Sequence, residues 1–261
     1  MTIVKHELKQ NQKTFLIWTI AVSLLLMICI LIFPEMKNEM SSIGTLFSSM
    51  GSFTQAFGMD RLNFGSLIGF YAIECGNVLG LGGALYACLI ATSALSKEQK
   101  DRTAEFLFTH PISRFRIINE KLISVVIQIL AMNLIYFAVA LVSMLVIGED
   151  IPYKEVFLMH FSFLLLQLEL AGICFAISAF LKRSGMGLGL GIAILMYFLH
   201  LISNMTESMK FLKYISPYSY CDGADIVANQ KLDFVYIGLG ILYAILALVV
   251  GYRYFLKKDI S

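Results

Sequence analysis

Charge is scarce in this sequence. Asp, Glu, Lys and Arg make up 15% of its 261 residues, against about 25% in an average soluble domain. Apolar residues account for 58%, and the mean hydropathy is +0.78. A soluble domain of this length needs a polar shell around its core, and too little polar surface is present to build one. The 20 basic and 18 acidic residues nearly cancel, to a net +2, so no cationic surplus marks a nucleic-acid partner.

Other absences narrow the chemistry. Cys29, Cys75, Cys88 and Cys174 are dispersed through apolar runs and Cys221 has no obvious loop partner. No disulfide framework follows, and the thiols read as small buried hydrophobes. No G-x-x-x-x-G-K-[ST] loop occurs, so this chain does not itself cradle ATP phosphates. Neither H-E-x-x-H nor C-x-x-C is present to hold a metal. Gly185, Gly187, Gly189 and Gly191 have the wrong spacing for a nucleotide loop and open a membrane run. They read instead, with the pairs Gly65/Gly69 and Gly76/Gly80, as small residues that let helices approach closely.

What is present is long apolar runs. A hydrocarbon core of about 30 Å takes about 20 residues of helix. The runs predict spans at about 15–33, 64–95, 122–147, 156–181, 186–202 and 234–255. They lack the apolar/polar alternation of an outer-membrane barrel. The expected class is all-α and integral to the membrane, one permease-sized domain over 1–261. With both termini in the cytoplasm, 14 of the 20 basic residues fall on the inner side, as the positive-inside rule requires. A multi-pass protein of the plasma membrane is expected. Ile3, Val4, Leu8 and Phe15 share one arc of a helical wheel and Lys5, Lys9 and Lys13 another. That pattern predicts an N-terminal interfacial helix, lysines among anionic headgroups, before the chain turns into the bilayer; the alternative is an ordinary basic flank of the first span.

The connection between the second and third runs reads as a short amphipathic helix with a stop. Glu98 and Arg102 stand at i,i+4 in the favourable order, and Asp101 and Glu105 suit a helix start. Phe106, Leu107 and Phe108 form an apolar ridge, Pro111 ends the helix and Ser113 is placed to cap the next one. A ridge rimmed by charge suits docking on another protein.

The residues Glu98…Arg102-Thr103-Ala104-Glu105-Phe106-Leu107-Phe108…Pro111-Ile112-Ser113-Arg114…Lys121 resemble the E…G-T-x-E-x-L-L…P-[VI]-S-R…K pattern of type-2 ABC exporter permeases. Arg102 stands where that family often has Gly, and Phe108 replaces the second Leu. The basic start, the long first outer loop, the Tyr214-Ile-Ser-Pro-Tyr-Ser-Tyr stretch and the closing Arg253-Tyr-Phe-Leu-Lys-Lys-Asp fit the same family. The resemblance implies that Glu98, Arg102, Thr103, Glu105, Phe106, Leu107, Pro111, Ser113 and Arg114 belong to a coupling helix. That helix docks on a separate cytoplasmic ATPase, present in two copies, which binds ATP and Mg; this chain carries no cofactor of its own. It implies a second permease chain, a copy or a close relative. It also implies a path along spans one, two and five that takes in Trp18, Glu74, Asn77, Met196 and His200.

Other classes remain open at this point. A proton-coupled secondary carrier would use Glu74, Glu169 or His200, although no inverted repeat supports it. A membrane enzyme would use His160 or His200, and a scaffold would leave the Pro-Ile-Ser-Arg block unexplained. Six methionines (36, 40, 50, 59, 205 and 209) in two outer stretches suit Cu(I) by softness but lack tight clustering. Apolar residues in the first outer loop (Ile43, Leu46, Phe47, Phe53, Phe57) suggest helices on or dipping into the outer leaflet, which suits an amphipathic or lipid-like cargo. Of the two intramembrane acids, Glu74 is expected beside the path and Glu169 is expected to be hydrogen-bonded within its bundle.

Overall fold

Apolar length decides the architecture. The computed structural model describes residues 2–49, 51–97, 113–181 and 185–257, and six of its helices are long and apolar enough to cross a membrane. Helix α1 covers Thr2–Ser49, followed by the short α2 at Ser52–Ala56. The second span is built in three pieces: α3 (Leu67–Phe70), a π-helical turn at Tyr71–Cys75 and α4 (Gly76–Ser93). Then come α5 (Arg114–Ile147), α6 (Tyr153–Ser178) and α7 (Met186–Met205). Two 3-10 turns, Glu207–Tyr214 and Pro217–Cys221, lead to α8 (Gly223–Asn229) and the last span, α9 (Phe234–Lys257).

The two central helices are α4 and α6, whose apolar windows are each 67% buried. Around that pair, α7 packs on α4, α9 on α6, and α1 on α5. Small residues allow the close approach. A Cβ added to Gly189 of α7 would meet the Cys88 carbonyl oxygen of α4 at 2.6 Å, and one added to Gly251 of α9 would meet the Ala176 Cα of α6 at 2.7 Å. The glycines at 185–191 are not equivalent. Gly185 and Gly189 face Thr92, whereas nothing lies within 4 Å of a Cβ at Gly187 or Gly191. The outer helices leave Ile17 (68% exposed), Phe198 (54%) and Phe234 (81%) uncovered. In a bilayer such faces cost nothing, because lipid tails are as apolar as the side chains.

Two expectations need correction at the ends of the spans. The N-terminal dozen residues form no separate interfacial helix, since α1 runs unbroken from Thr2. The apolar arc of the wheel exists, but it faces α5. Val4 and Glu7 are buried while Lys5, Lys9 and Lys13 are exposed. The carboxylate of Glu120 accepts hydrogen bonds from the backbone N–H of Ile3 (3.0 Å) and Val4 (3.3 Å), supplying the free donors of the first turn. Glu7 accepts from Lys121 Nζ at 2.7 Å and from Lys97 Nζ, and Lys121 also donates to the Ala94 carbonyl at 2.9 Å. A helix so held has no reason to turn. At its other end α1 passes through Pro34 to Ser49, beyond the expected end of the span at 33 and into the outer stretch where apolar residues suggest helices.

The third span starts at Arg114, eight residues before the expected 122. Ser113 caps it as read from the sequence, its Oγ accepting from Arg116 N at 3.3 Å. Gly189→Leu should destabilise the purified chain by the ~1–3 kcal/mol typical of overpacking and so lower its melting temperature, whereas Gly187→Leu should leave it unchanged. Equal effects would contradict the α4–α7 contact.

Candidate translocation site

At the end of the bundle opposite the Glu7 cluster, α4, α7 and the turn before α8 enclose a cavity of about 40 Å³. It is lined by Asn77, Tyr197, His200, Asn204, Tyr218 and Asp222, among others. The local sequence explains the opening. The π-helical turn just before Gly76 absorbs an extra residue, a feature common at functional sites. Gly76 and Gly80 then bring only backbone to the cavity from α4.

Hydrogen bonds tie the walls together. Tyr197 Oη donates to Asn77 Oδ1 at 2.7 Å, and Asn77 Nδ2 donates to the Ile73 carbonyl at 2.6 Å. Asn204 Nδ2 donates to Asp222 Oδ2 at 3.0 Å. The His200 ring lies nearly parallel to that of Tyr218, with centroids 6.2 Å apart, and its Nε2 is 3.9 Å from Asp222 Oδ2. His200 Nδ1 is buried without a hydrogen-bond partner among the described residues. A polar cavity of this size has room for about one water molecule or a few, and an orphaned nitrogen is the kind of group such water serves.

Asp222 is the hub of the rim. It caps α8, accepting from Ala224 N at 2.9 Å and Asp225 N at 3.3 Å. It also accepts twice from Arg61 Nη2, at 3.0 and 3.2 Å, while Arg61 Nη1 reaches Asp225 at 2.5 Å. Burial alone would raise its carboxyl pKa. The positive field of His200, Arg61 and Lys213 outweighs burial and holds it below the ordinary range. The Arg61 guanidinium, pressed by burial the other way, is raised by Asp222 and Asp225.

The residues expected on the path are thus divided. Asn77 and His200 meet in the cavity. Met196 stands one turn away and accepts at its carbonyl from Ser216 Oγ, 2.8 Å, helping to seat the turn before α8. Trp18 is half-buried against Tyr86, with centroids 6.3 Å apart. Tyr86 lies about 14 Å along α4 from Asn77 at 1.5 Å per residue. Glu74 does not line the cavity. It is half-buried in the π-helical turn beside Cys29 and Cys75, with no hydrogen-bond partner among the described residues. Glu169 accepts from Tyr220 Oη at 2.8 Å, beneath Gly240, where a Cβ would meet its Oε2 at 2.0 Å. Of the expected coupling residues, Arg114 donates to the Leu256 carbonyl at 3.3 Å and Ser113 is the helix cap. Glu98, Arg102, Thr103, Glu105, Phe106, Leu107 and Pro111 lie outside the described residues.

Sequence reasoning missed Arg61, Asp222 and Asn204, whereas Tyr197 falls within the expected stretch from Met196 to His200. Only Asp222 left a local signal, an Asp followed by Gly-Ala-Asp at a helix start. Among the described residues no cluster of His, Cys, Asp or Glu has the arrangement of a metal site.

Asp222→Asn should cost roughly 2 kcal/mol, below the ~3–5 kcal/mol of a fully buried pair because the Arg61 side chain is 37% exposed. Its sign with pH follows from a folded-state pKa lying below the ordinary value of 3.8. The stabilisation is complete above that value and is lost as pH falls through the depressed one. Melting curves of parent and Asp222→Asn should therefore differ at pH 7 and converge below pH 3.8. A constant gap down to the lowest pH would refute the assignment.

No curated protein matches the chain. The profile described as ABC-2 family transporter protein matches residues 1–260. A bundle of six apolar helices with a polar cavity between its second and fifth spans fits that description, and with the match spanning nearly every residue, the chain belongs to the ABC-2 family of transporter proteins, as a membrane permease of an ABC transporter.

Proposed function

We propose that this permease exports an amphipathic or lipid-like cargo, driven by a separate ATPase that docks on residues 98–114. The observation that carries the reading is how that segment is rooted. Lys97 on one side of it and Lys121 beyond the other share the carboxylate of Glu7, whose side chain is 3% exposed. The Lys121 side chain is 2% exposed. A push on the segment therefore reaches α1, α4 and α5 together. Such a joint supports a bundle that shifts between two packings when ATP closes its partner.

On this reading the basic end faces the cytoplasm, as does each terminus, and the cavity lies toward the outside of the plasma membrane. Two copies of the permease, or one with a close relative, pair with two ATPase subunits. Glu74 contacts cargo or gates its exit. It stands unpartnered among the described residues in the π-helical turn that leads into the cavity's own helix. A proton-coupled carrier would have to rest on His200 within the cavity, because Glu74 does not line it and Glu169 is tied to Tyr220.

The test is reconstitution with a candidate ABC ATPase from the same genome, in liposomes, with hydrolysis and cargo release both measured. The permease alone should hydrolyse no ATP. Glu105→Ala should weaken ATPase docking roughly tenfold, about 1.4 kcal/mol, without loss of membrane insertion. Docking and transport like the parent would sink the coupling assignment.

Glu74→Gln should assemble and hydrolyse ATP normally yet change cargo release. Unaltered export at every pH tested would remove Glu74 from the path.

A further inference from the structure

A second opening lies at the basic end, between α1 and α5. It is a groove of about 320 Å³ with Leu8, Phe15, Ile127 and Ala131 as apolar walls and Lys9 and Gln12 at its rim. The walls are held in place. Phe15 sits edge-on to Tyr86 with centroids 6.2 Å apart. Gln128 beneath is turned into the bundle, accepting from Tyr86 Oη at 2.9 Å and donating to the Ser124 carbonyl at 3.0 Å. Its amide is thus committed elsewhere and does not fill the space.

The rim is positive. Lys5, Lys9 and Lys13 follow one another at i,i+4 on the exposed side of α1, where like charges repel unless an anion sits among them. No acid among the described residues forms an ion pair with them. Glu7 is taken up by Lys97 and Lys121, and Glu120 by Arg116 and the N–H groups of Ile3 and Val4. An occupant must therefore be apolar along one part and anionic at one end.

We propose that this groove binds one anionic phospholipid, with an acyl chain between α1 and α5 and its phosphate beside Lys9. Leu8, Phe15, Ile127 and Ala131 take the chain, and Gln12 offers a hydrogen bond to the glycerol or phosphate oxygens. The lipid chemistry matches both halves of the opening, and basic pockets between spans are where anionic headgroups gather. The proposal stands apart from transport, because it needs neither the ATPase nor a cargo.

The experiment is native mass spectrometry of the full chain in a neutral detergent. Phosphatidylglycerol and phosphatidylcholine with identical dioleoyl chains are added in turn. The parent should retain phosphatidylglycerol roughly five-fold better, the equivalent of the ~1 kcal/mol contributed by one Lys beside an anionic lipid. Lys9→Gln, an exposed change that leaves the fold intact, should abolish that preference. Lys257→Gln, at the far end of α9, should not. Ala131→Trp, scored by lipid retention at an unchanged melting temperature, should release both lipids by filling the groove. Equal retention of the two lipids by the parent, or a preference that survives Lys9→Gln, overturns the proposal. So does a dimer peak abolished by Ala131→Trp, which would give the groove to a second copy of the chain.

Discussion

Lipid tails offer no hydrogen bonds, so most polar side chains inside this bundle find their partners inside the bundle as well, with Thr19, Ser23 and Tyr136 as exceptions among the described residues. That constraint organises the core more than shape does. Tyr86 of α4 is satisfied by Gln128 of α5, and Asn133 of α5 donates to Gln167 of α6 at 2.7 Å. Glu169 of α6 takes the hydroxyl of Tyr220, and Tyr71 meets His160 at 2.7 Å. Each pair joins two segments that apolar contact alone would let slide. In a medium where every helix face is equally greasy, these pairs are what distinguish one packing register from its neighbours.

The same constraint separates the two ends of the molecule. At the basic end Glu7 binds three elements into one unit, and its buried position leaves little for water to compete with. At the other end Asp222 does a similar job with a partly exposed Arg61, and the surrounding side chains leave a small polar void. One end is a dry ionic joint and the other a wettable one. The helix between them, α4, is lined with small residues and packs on both α6 and α7.

All six spans were legible in the sequence because a run of twenty apolar residues has few other uses. The edges of the second, fourth, fifth and sixth were legible to within three residues, but the ends of the first and the start of the third were not. The span of α5 begins at Arg114 since Lys121, which counts as a loop charge in a hydropathy reading, is buried against Glu7. The wheel of the first dozen residues was read correctly as two arcs. What covers the apolar arc was hidden, because Glu7 finds its partners 90 and 114 residues away. The cavity was half legible: Asn77 and His200 came from resemblance, whereas Arg61 and Asp222 are 161 residues apart and pair only after folding. Trp18 and Glu74 belong to the expected spans but face other neighbours. Hydropathy tells which residues enter a membrane helix and is silent on which way each one points.

The π-helical turn at Tyr71–Cys75 has a bearing on that last point. Gly69 and Gly80 are eleven residues apart, about three turns of regular α-helix, and would share one stripe if the helix were continuous. The inserted residue breaks the phase. A Cβ on Gly69 would strike the Asn63 backbone, whereas one on Gly80 would meet Phe163 of α6. The second span is thus a screw with a thread cut in two sections. Deleting one residue between 71 and 75 would restore a single thread and rotate α3 by about 100° against α4. Length and composition of the span would be nearly unchanged, and the wrong side chains would face the wrong helices.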